Sequence, residues 1–297
     1  MKIIVTGSLG NISKPLTQEL AQKGHAVTVI SSNPDRQKDI EALGATAAIG
    51  SLEDLDFLAA TFTGADAVYS MVPPNNYFNH DLDLLAYYRR MGHNYAQAIE
   101  KSGVKRVVNL SSIGAHLDEG SGILLGAHDV EHILNGLSQE VTVTHIRPTS
   151  FYYNLYGYMD MIKTEGYIAA NYGAEDMIPW VSPIDIAAAV AEELLAPHAG
   201  RKVRYIASEE LTGNETAGIL GAAIGKPDLK WIVITDEQML SGLKAAGMNP
   251  MIAAGLVEMY AGLHSGTLAA DYYLNKPAAM GQVKLTDFAK EFAGVFA

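Results

Sequence analysis

Two glycines near the start of the chain are spaced for phosphate binding. The apolar residues 3–5 lead through Thr6 into Gly7, and Gly10 comes just before a helical pattern at residues 14–23. A turn between a strand and a helix leaves backbone N–H groups unpaired at the helix start, where the helix dipole also favours anions. The residues predicted to hold a dinucleotide diphosphate there are Gly7, Gly10, Asn11 and Ile12.

The glycine pattern is shorter than the full dinucleotide-binding motif. Ser13 stands where a third glycine is common, so the turn taken alone is a weak indicator. A strand, turn and helix without any ligand would also use one glycine at this place. The interpretation as a phosphate site therefore depends on what the later strand ends supply.

The end of the second predicted strand indicates which dinucleotide would bind. Residues 26–30 run into Ser31 and Ser32, with Arg36 nearby, where NAD-preferring folds place an acidic residue for the ribose hydroxyls. Hydroxyl groups and a guanidinium suit a 2′-phosphate, which a carboxylate would repel. The sequence therefore favours NADP(H) over NAD(H). A solvated turn that caps a helix around Pro34 is the plainer interpretation, and the two are compatible.

Other strand ends supply further predicted contacts with the cofactor. Residues 67–71 run into a pair of prolines, which fixes the loop and presents its backbone to a ligand. Residues 106–110 end in two serine hydroxyls, at the edge of the sheet where such folds bind ligands. The predicted contacts of this group are Met71, Val72, Pro73, Ser111, Ser112 and Pro148.

These residues need a sheet that brings the strand ends to one edge. Short apolar runs alternate with amphipathic segments through the first half of the chain, which is typical of an α/β protein with a parallel sheet. We predict a doubly wound parallel Rossmann sheet with a smaller, helix-rich C-terminal lobe. The predicted domains are residues 1–150 for NADP binding and 151–297 for the substrate lobe, with residues 203–206 returning to the sheet. The strand candidates after the first are residues 26–30, 45–49, 67–71, 106–110 and 141–146.

Composition limits the kinds of partner that the chain can bind. The formal net charge is −12 and no long basic run occurs, so nucleic acid and anionic membranes are not expected partners. The chain has no cysteine, which excludes disulfides and thiolate chemistry. The opening apolar run is too short for a signal peptide, and no run reaches the roughly 20 residues of a membrane-spanning helix. We expect a cytoplasmic protein.

The order of several motifs resembles one known family. The motifs are Gly7-x-x-Gly10, Gly64-Ala65-Asp66-Ala67-Val68, Gly103-Val104-Lys105-Arg106-Val107-Val108 with Ser111-Ser112, Ile146-Arg147-Pro148-Thr149, and Val181-Ser182-Pro183-Ile184-Asp185-Ile186-Ala187. Together they span nearly the whole chain and resemble the NmrA-like atypical short-chain dehydrogenases. The resemblance implies an NADP-binding Rossmann domain with a smaller C-terminal lobe. It also implies either a quinone or other NADPH-dependent reductase, or a catalytically silent redox sensor.

The chain departs from the wider superfamily in its acid–base residues. Short-chain dehydrogenases carry a Tyr-x-x-x-Lys pair after the serine-bearing strand, but no tyrosine or lysine occurs here between Ser112 and Val141. In the helix where many NmrA-like reductases have a lysine, Ala127 or His128 takes that position. A Ser-Tyr-Lys mechanism is therefore excluded. The remaining weak catalytic candidates are His128, Tyr152 and Asn154.

An aromatic segment follows the last predicted strand of the first half. Phe151, Tyr152 and Asn154 come directly after it, where a pocket over a nicotinamide needs flat apolar walls and a few donors. The resemblance also implies substrate contacts in this region. These aromatic residues could instead pack the two lobes together, and the loop that carries Tyr77 could be a pocket mouth or a surface turn. The predicted substrate pocket is Tyr77, Phe151, Tyr152 and Asn154.

One motif points to a different chemistry. Residues 128–132 fit His-x-x-Glu-His, which places two imidazoles one helical turn apart, as in some zinc proteases. So short a match arises often by chance, and a helix with an ordinary polar face explains it as well. We predict no metal site.

Two classes of function follow. The first is an NADPH-dependent oxidoreductase that transfers hydride to a small conjugated carbonyl or quinone without a Tyr-Lys pair. The second is a non-catalytic NADP(H) sensor that acts through a protein partner. A nucleotide-sugar epimerase or dehydratase is weakened because such enzymes use the missing pair as a base. The sequence leaves open whether the chain forms a homodimer.

Overall fold

The computed structural model describes residues 1–197 and 199–296; residues 198 and 297 of the predicted substrate lobe lie outside the described residues. The strands are β1 Lys2–Val5, β2 Ala26–Ser31, β3 Thr46–Ile49, β4 Ala67–Ser70, β5 Arg106–Leu110, β6 Thr142–Pro148, β7 Ser150–Phe151, β8 Ile168–Ala170, β9 Met177–Val181, β10 Arg201–Ile206, β11 Glu209–Thr212 and β12 Trp231–Val233. The α-helices are α1 Ser13–Gln22, α2 Gln37–Ala42, α3 Leu55–Phe62, α4 Leu84–Ser102, α5 Leu125–Asn135, α6 Met159–Thr164, α7 Pro183–Leu195, α8 Gly213–Ala223, α9 Asp236–Ala245, α10 Pro250–His264, α11 Ala270–Leu274 and α12 Leu285–Phe296. Short 3-10 segments cover Pro34–Arg36, Gly122–Leu124 and Tyr152–Tyr158.

Seven parallel strands form the central sheet in the order β10-β6-β5-β4-β1-β2-β3. The apolar run of β1 is fully buried because the strand lies in the middle of a sheet that helices cover on both faces. This arrangement confirms the predicted doubly wound α/β fold. The strand β6 is longer at its carboxyl end than predicted, since its pairing with β10 continues to the register Pro148 with Ile206.

Helices cover the two faces of the sheet and enclose separate cores. On one face α1 packs against α7, and Leu16, Leu20 and Val190 lie in a core with side chains of β1 and β2. On the other face α4 packs between α3 and α5, and Met91, Tyr95 and neighbouring apolar residues fill the second core. The Ser182 hydroxyl caps α7 by accepting from the Ile184 N–H at 3.2 Å, directly before the helix-favouring Pro183.

The C-terminal part is built on an aromatic core. Two small sheets, ordered β11-β9-β7 and β12-β8, lie with α8 and α12 around Trp180, Tyr152, Phe288 and Phe292. Four of these strands, β7, β8, β9 and β11, were not predicted. The strands β7, β8 and β11 have four residues or fewer and β9 contains Pro179, so their pairing depends on partners distant in the chain. The division into two domains stays a prediction.

Asp185 ties the two parts of the chain together. Its carboxylate accepts hydrogen bonds from the Ser208 hydroxyl at 2.6 Å, the Gln282 N–H at 2.9 Å and the Val283 N–H at 3.1 Å. The sequence predicts only that Asp185 lies in the first turn of α7, where the helix dipole stabilises an acidic side chain. The structure adds the long-range bonds, which fix the segment before α12 against the start of α7. Within residues 1–197 and 199–296, no helix is both long and apolar enough to cross a bilayer.

Candidate active site

A cleft of about 970 Å³ crosses the carboxyl ends of the parallel strands. It lies where the strand order reverses between β1 and β4, which is the usual ligand site of open parallel sheets. We divide it into two halves. The turn half is lined by residues 7–13, Ser31, Ser32, Arg36 and residues 51–53. The aromatic half includes Tyr77, Tyr88, Phe151, Tyr153, Trp180 and Tyr260.

The glycine turn has no room for a side chain at its first position. Gly7 has a φ of 85°, and a Cβ there would lie 2.7 Å from the Ser13 hydroxyl oxygen and 3.0 Å from the Met71 sulfur. A Cβ on Gly10 would lie 3.2 Å from the Gly7 carbonyl oxygen. Ser13, the residue at the place of the third glycine, donates its hydroxyl proton to the Thr6 carbonyl at 2.8 Å. The serine therefore closes the turn onto the strand end.

The start of α1 carries backbone donors that the protein does not use. No side chain caps this helix, and the N–H groups of Asn11 and Ile12 have no acceptor among the described residues. Both residues line the cleft. Unpaired N–H groups beside a glycine turn and a positive helix end fit a diphosphate. Asn11 and Ile12 thus lie where the sequence predicts a phosphate contact.

The end of β2 combines the two interpretations drawn from its sequence. Ser31 is buried, accepts a hydrogen bond from the Ser8 hydroxyl at 3.0 Å and accepts another from the Asn33 N–H at 3.2 Å. Asn33 caps the following 3-10 segment by accepting from the Asp35 N–H at 2.9 Å. The turn therefore has the predicted cap, and its buried serine holds the loop in place.

The neighbouring Ser32 and Arg36 remain open to the cleft. The Arg36 side chain is 52% exposed, and its Nη1 lies 3.3 Å from an Asp39 carboxylate that is itself exposed. Such a surface pair contributes little to stability, so the guanidinium can turn toward a ligand at small cost. A hydroxyl and a guanidinium at this position fit a phosphate on the adenosine ribose.

Buried tyrosines and a threonine hold the loop after β4. Thr6 accepts a hydrogen bond on its hydroxyl from the Met71 N–H at 3.0 Å, and Tyr95 donates to the Met71 carbonyl at 2.6 Å. Tyr87 donates to the Pro73 carbonyl at 3.2 Å. Met71, Val72 and Pro73 all line the cleft, as predicted from the proline pair. The loop is fixed by the side chain that follows β1 and by side chains from α4, which the local sequence does not reveal.

A buried ion pair lies below the end of β5. Ser111 lines the cleft and donates its hydroxyl proton to Glu131 at 2.5 Å. Two nitrogens of Arg147 donate to the Glu131 carboxylate at 2.9 and 2.7 Å, and a third donates to Asp271 and to Tyr205 at 3.1 Å each. The Ser111 hydroxyl therefore already donates its proton to Glu131. The adjacent Ser112 makes no side-chain hydrogen bond with the described residues.

Thr149 offers the cleft an unused polar group. Its hydroxyl is buried and has no hydrogen-bond partner among the described residues, although the residue lines the cleft. A buried hydroxyl without a partner is costly unless a water or a ligand satisfies it. This orphan group lies at the end of β6, on the side of the cleft away from the glycine turn. It fits a polar ligand group at that end.

Three of the predicted site residues, Pro148, Tyr152 and His128, are not among the residues that line the cleft. Pro148 is still part of β6 and is buried, and its carbonyl accepts from the Ile113 N–H at 2.9 Å. His128 follows the cleft-lining Ala127 by one helical position, and its ring nitrogen lies 3.0 Å from the Ala115 carbonyl oxygen. Each is next in sequence to a residue that lines the cleft: Thr149, Phe151 and Ala127.

Tyr152 is a core residue between two residues that face the cleft. It stacks between Trp180 and Phe288 and donates its hydroxyl proton to Glu209 at 2.5 Å. Phe151 and Tyr153 line the cleft instead, because neighbouring side chains point to opposite sides where β7 ends. Asn154 lines the cleft as predicted and is exposed.

The His-x-x-Glu-His stretch is used for packing and pairing. Its Glu131 is 5% exposed and fully engaged by Ser111 and Arg147, and His128 faces a backbone carbonyl. In the part of the chain that the structure describes, no group of three histidine or acidic residues is arranged to hold a metal ion.

Sequence reasoning missed several residues of the aromatic half. Tyr88 comes from α4 and Tyr260 from α10, and Trp180 and Thr149 complete the wall. The helical spacing of apolar residues in α4 and α10 predicts only which face of each helix is apolar. It cannot show which tyrosine reaches the cleft. No lysine is among the described lining residues, and the charged side chains there are Arg36 and Glu53, both in the turn half.

Comparison with known proteins agrees with this architecture. The model of the NmrA-like family matches residues 1–286. An NAD(P)H azoreductase of Xenophilus azovorans is 26% identical over 302 aligned positions, which cover 99% of each protein. The NADPH-dependent quinone oxidoreductase of Escherichia coli, solved with NADPH, has a TM-score of 0.80 at 20% identity and covers 98% of this chain and 99% of its own.

A third relative has the same fold. The triphenylmethane reductase of Citrobacter sp., solved with NADP(H), has a TM-score of 0.77 at 17% identity, and the match covers 99% of this chain and all of the other. The family model covers both the central sheet and most of the C-terminal part. The chain therefore belongs to the NmrA-like family.

Proposed function

We propose that the cleft binds NADP(H). The observation that carries this proposal is the glycine turn with its two unused N–H groups, which no protein side chain caps. Gly7, Gly10, Asn11 and Ile12 would hold the diphosphate, and Ser32 and Arg36 would meet the 2′-phosphate. Met71, Val72, Pro73 and the serines Ser111 and Ser112 would line the nicotinamide side, with the Thr149 hydroxyl as a further partner.

We propose in addition that the protein reduces a flat conjugated acceptor, such as a quinone or an azo compound. The bound cofactor supplies a hydride. The aromatic half supplies broad apolar walls from Phe151, Tyr153 and Trp180, which fit a planar molecule. The relatives named as azoreductase, quinone oxidoreductase and triphenylmethane reductase support this substrate class.

The alternative is a protein that binds NADP(H) without turnover and reports its redox state to a partner. The lack of a lysine among the described lining residues favours this second function, since no ammonium is there to lower the pKa of a catalytic tyrosine. The partner would then be the second chain of a homodimer or a regulatory protein.

Calorimetric titration and a turnover assay together test these proposals. We expect NADPH to bind more tightly than NADH, and NADPH to be oxidised in the presence of menadione or an azo dye. Gly7→Val would place a side chain against Ser13 and Met71 and should abolish cofactor binding. Absence of binding to the wild type would refute the cofactor proposal. Tight binding without turnover across the acceptors would support the sensor.

A further inference from the structure

Four tyrosines from four separate segments reach the aromatic half of the cleft. They are Tyr77 in the loop after β4, Tyr88 in α4, Tyr153 in the 3-10 segment after β7, and Tyr260 in α10. We call these residues the phenol cluster. All four are half-buried, and each lines the cleft.

The hydroxyls of the phenol cluster are not used by the protein. None of the four has a hydrogen-bond partner among the described residues, and none is sealed away from the cleft space. Three other tyrosines near the cleft are bonded: Tyr87 donates to Pro73, Tyr95 to Met71 and Tyr152 to Glu209. Half-buried hydroxyls that remain open toward a cleft are donors available to a ligand.

The rings of the cluster are held in fixed positions. Asn249 donates its N–H to the Tyr77 carbonyl at 2.9 Å and its side-chain amide to the Asn79 and Leu82 carbonyls at 3.0 and 3.1 Å, which anchors the loop. Tyr88 packs so closely on Gly126 that a Cβ there would lie 2.6 Å from the ring. The support for the other two comes from stacking.

Two aromatic contacts complete this support. The Tyr153 ring centroid lies 5.0 Å from that of Phe151, and the Tyr260 ring stacks on Tyr172 at 4.7 Å with an interplanar angle of 15°. Pre-positioned donors of this kind stabilise developing charge with little reorganisation.

The phenols stay neutral because burial raises their pKa values. Burial raises the pKa of Tyr153 to about 12, with a further contribution from Tyr77, and burial raises the pKa of Tyr260 to about 12 in the same way. Burial, together with Tyr77, Tyr87 and Tyr153, raises the pKa of Tyr88. The phenols therefore keep their protons at neutral pH and can act as donors but not as bases.

We propose that the phenol cluster binds the heteroatom of the acceptor that becomes negative during reduction and gives it a proton. This inference rests on the proposed reductase function. A hydride brings a hydrogen nucleus and two electrons to one atom of the conjugated acceptor. A π electron pair of the acceptor then shifts to its oxygen or nitrogen, which becomes negative. A tyrosine O–H bond then breaks as the new O–H or N–H bond forms, and a proton taken up from solvent restores the phenol, so each cycle consumes one H⁺. The acceptor gains two hydrogens in all.

The first test measures binding without cofactor. The probes are 1,4-naphthoquinone and 2-hydroxy-1,4-naphthoquinone, whose enolate oxygen is ionised at neutral pH; thiol addition does not interfere because the chain has no cysteine. We expect the wild type to prefer the enolate. Tyr77→Phe, Tyr88→Phe and Tyr153→Phe should each lose about tenfold of that affinity, as for a lost hydrogen bond to a charged group.

Tyr156→Phe is the matched control, because Tyr156 lies in the same 3-10 segment but stacks on Phe292 outside the cleft. Circular dichroism and melting temperature show whether each variant is folded. Unchanged enolate binding in all three folded variants would overturn the proposal.

The second test measures NADPH oxidation with 1,4-naphthoquinone. Phe variants with lowered kcat and unaltered NADPH affinity would support proton delivery, whereas kcat values equal to that of Tyr156→Phe would refute it and leave the reductase proposal intact. If the wild type binds NADPH and prefers the enolate but oxidises no NADPH, the reductase proposal and proton delivery both fail, and anion binding by the phenols remains.

Discussion

The two halves of the cleft are built in opposite ways. The turn half comes from short continuous stretches directly after β1, β2 and β3, and its donors include the backbone N–H groups of Asn11 and Ile12. The aromatic half brings together side chains of the loop after β4, of α4, of the segment after β7 and of α10. One half uses backbone geometry, and the other uses side chains that only packing brings together.

This difference has a chemical consequence. A diphosphate carries fixed charge, which suits a helix end and a guanidinium. A conjugated acceptor is flat and neutral until it receives a hydride, which suits aromatic walls with neutral donors. Changes in each half should therefore affect different ligands, and the following variants test that separation.

The largest effect is expected at the boundary between the halves. Arg147→Met removes the partner of the buried Glu131 and should lower the free energy of unfolding by about 3–5 kcal/mol. Ser111, which Glu131 holds, borders both halves, so binding of cofactor and of acceptor should weaken together. Urea unfolding and calorimetry measure the two effects. Arg89→Met, at an exposed pair with Asp129, is the control and should cost no more than about 1 kcal/mol.

Asn249→Ala should affect the aromatic half alone. The side chain caps α10 by accepting from the Met251 N–H at 2.9 Å and also holds the Tyr77 loop. Loss of the cap and of two part-buried hydrogen bonds should cost about 2–3 kcal/mol of stability and raise the KM for the acceptor. The Kd for NADPH should not change. Thr235→Ala removes the cap of α9, which has no bond to that loop, and should cost about 1 kcal/mol with normal kinetics.

Arg36→Ala should affect the turn half alone. Removal of a charged partner of the 2′-phosphate should raise the Kd for NADPH by about tenfold, with no change for NADH or for naphthoquinone. The neighbouring Lys38→Ala is the control for a general loss of positive charge. An equal rise in the Kd for NADPH and for NADH in the Arg36 variant would show that the guanidinium does not bind the 2′-phosphate.

The smallest effect concerns alkaline pH and the phenol cluster. Burial raises the pKa of Tyr153 and Tyr260 to about 12, above the ordinary value of 10 that applies in the unfolded chain. Below pH 10 both states keep these protons, and above it the unfolded chain loses them first, so stability falls as pH rises from 10 toward 12. The loss at pH 11 is about 1 kcal/mol per tyrosine. Urea midpoints at pH 9 and 11 should differ less for Tyr260→Phe than for the wild type.

The sequence predicted the sheet well because short segments rich in apolar residues alternate with amphipathic helical segments. The runs at residues 26–30 and 106–110 correspond to β2 and β5 within one residue. By contrast, β7 has only two residues, and the apolar β9 contains Pro179; both strands form because distant segments pair with them. The same limit explains Tyr152, which the sequence places in a pocket and the structure places in the core beside Trp180.

The sequence by itself determined the family, the parallel sheet and the part of the turn half that follows β1 and β2, because these features depend on local patterns and on residues that follow one another; residues 51–53 of the turn half were not predicted. Only the tertiary structure decided that Tyr153 rather than Tyr152 faces the cleft, and that Tyr88 and Tyr260 join it. It also decided that Glu131 pairs with Arg147. The physical reason is that strand ends are fixed by the chain itself, whereas the opposite wall depends on how helices and the C-terminal lobe pack against the sheet.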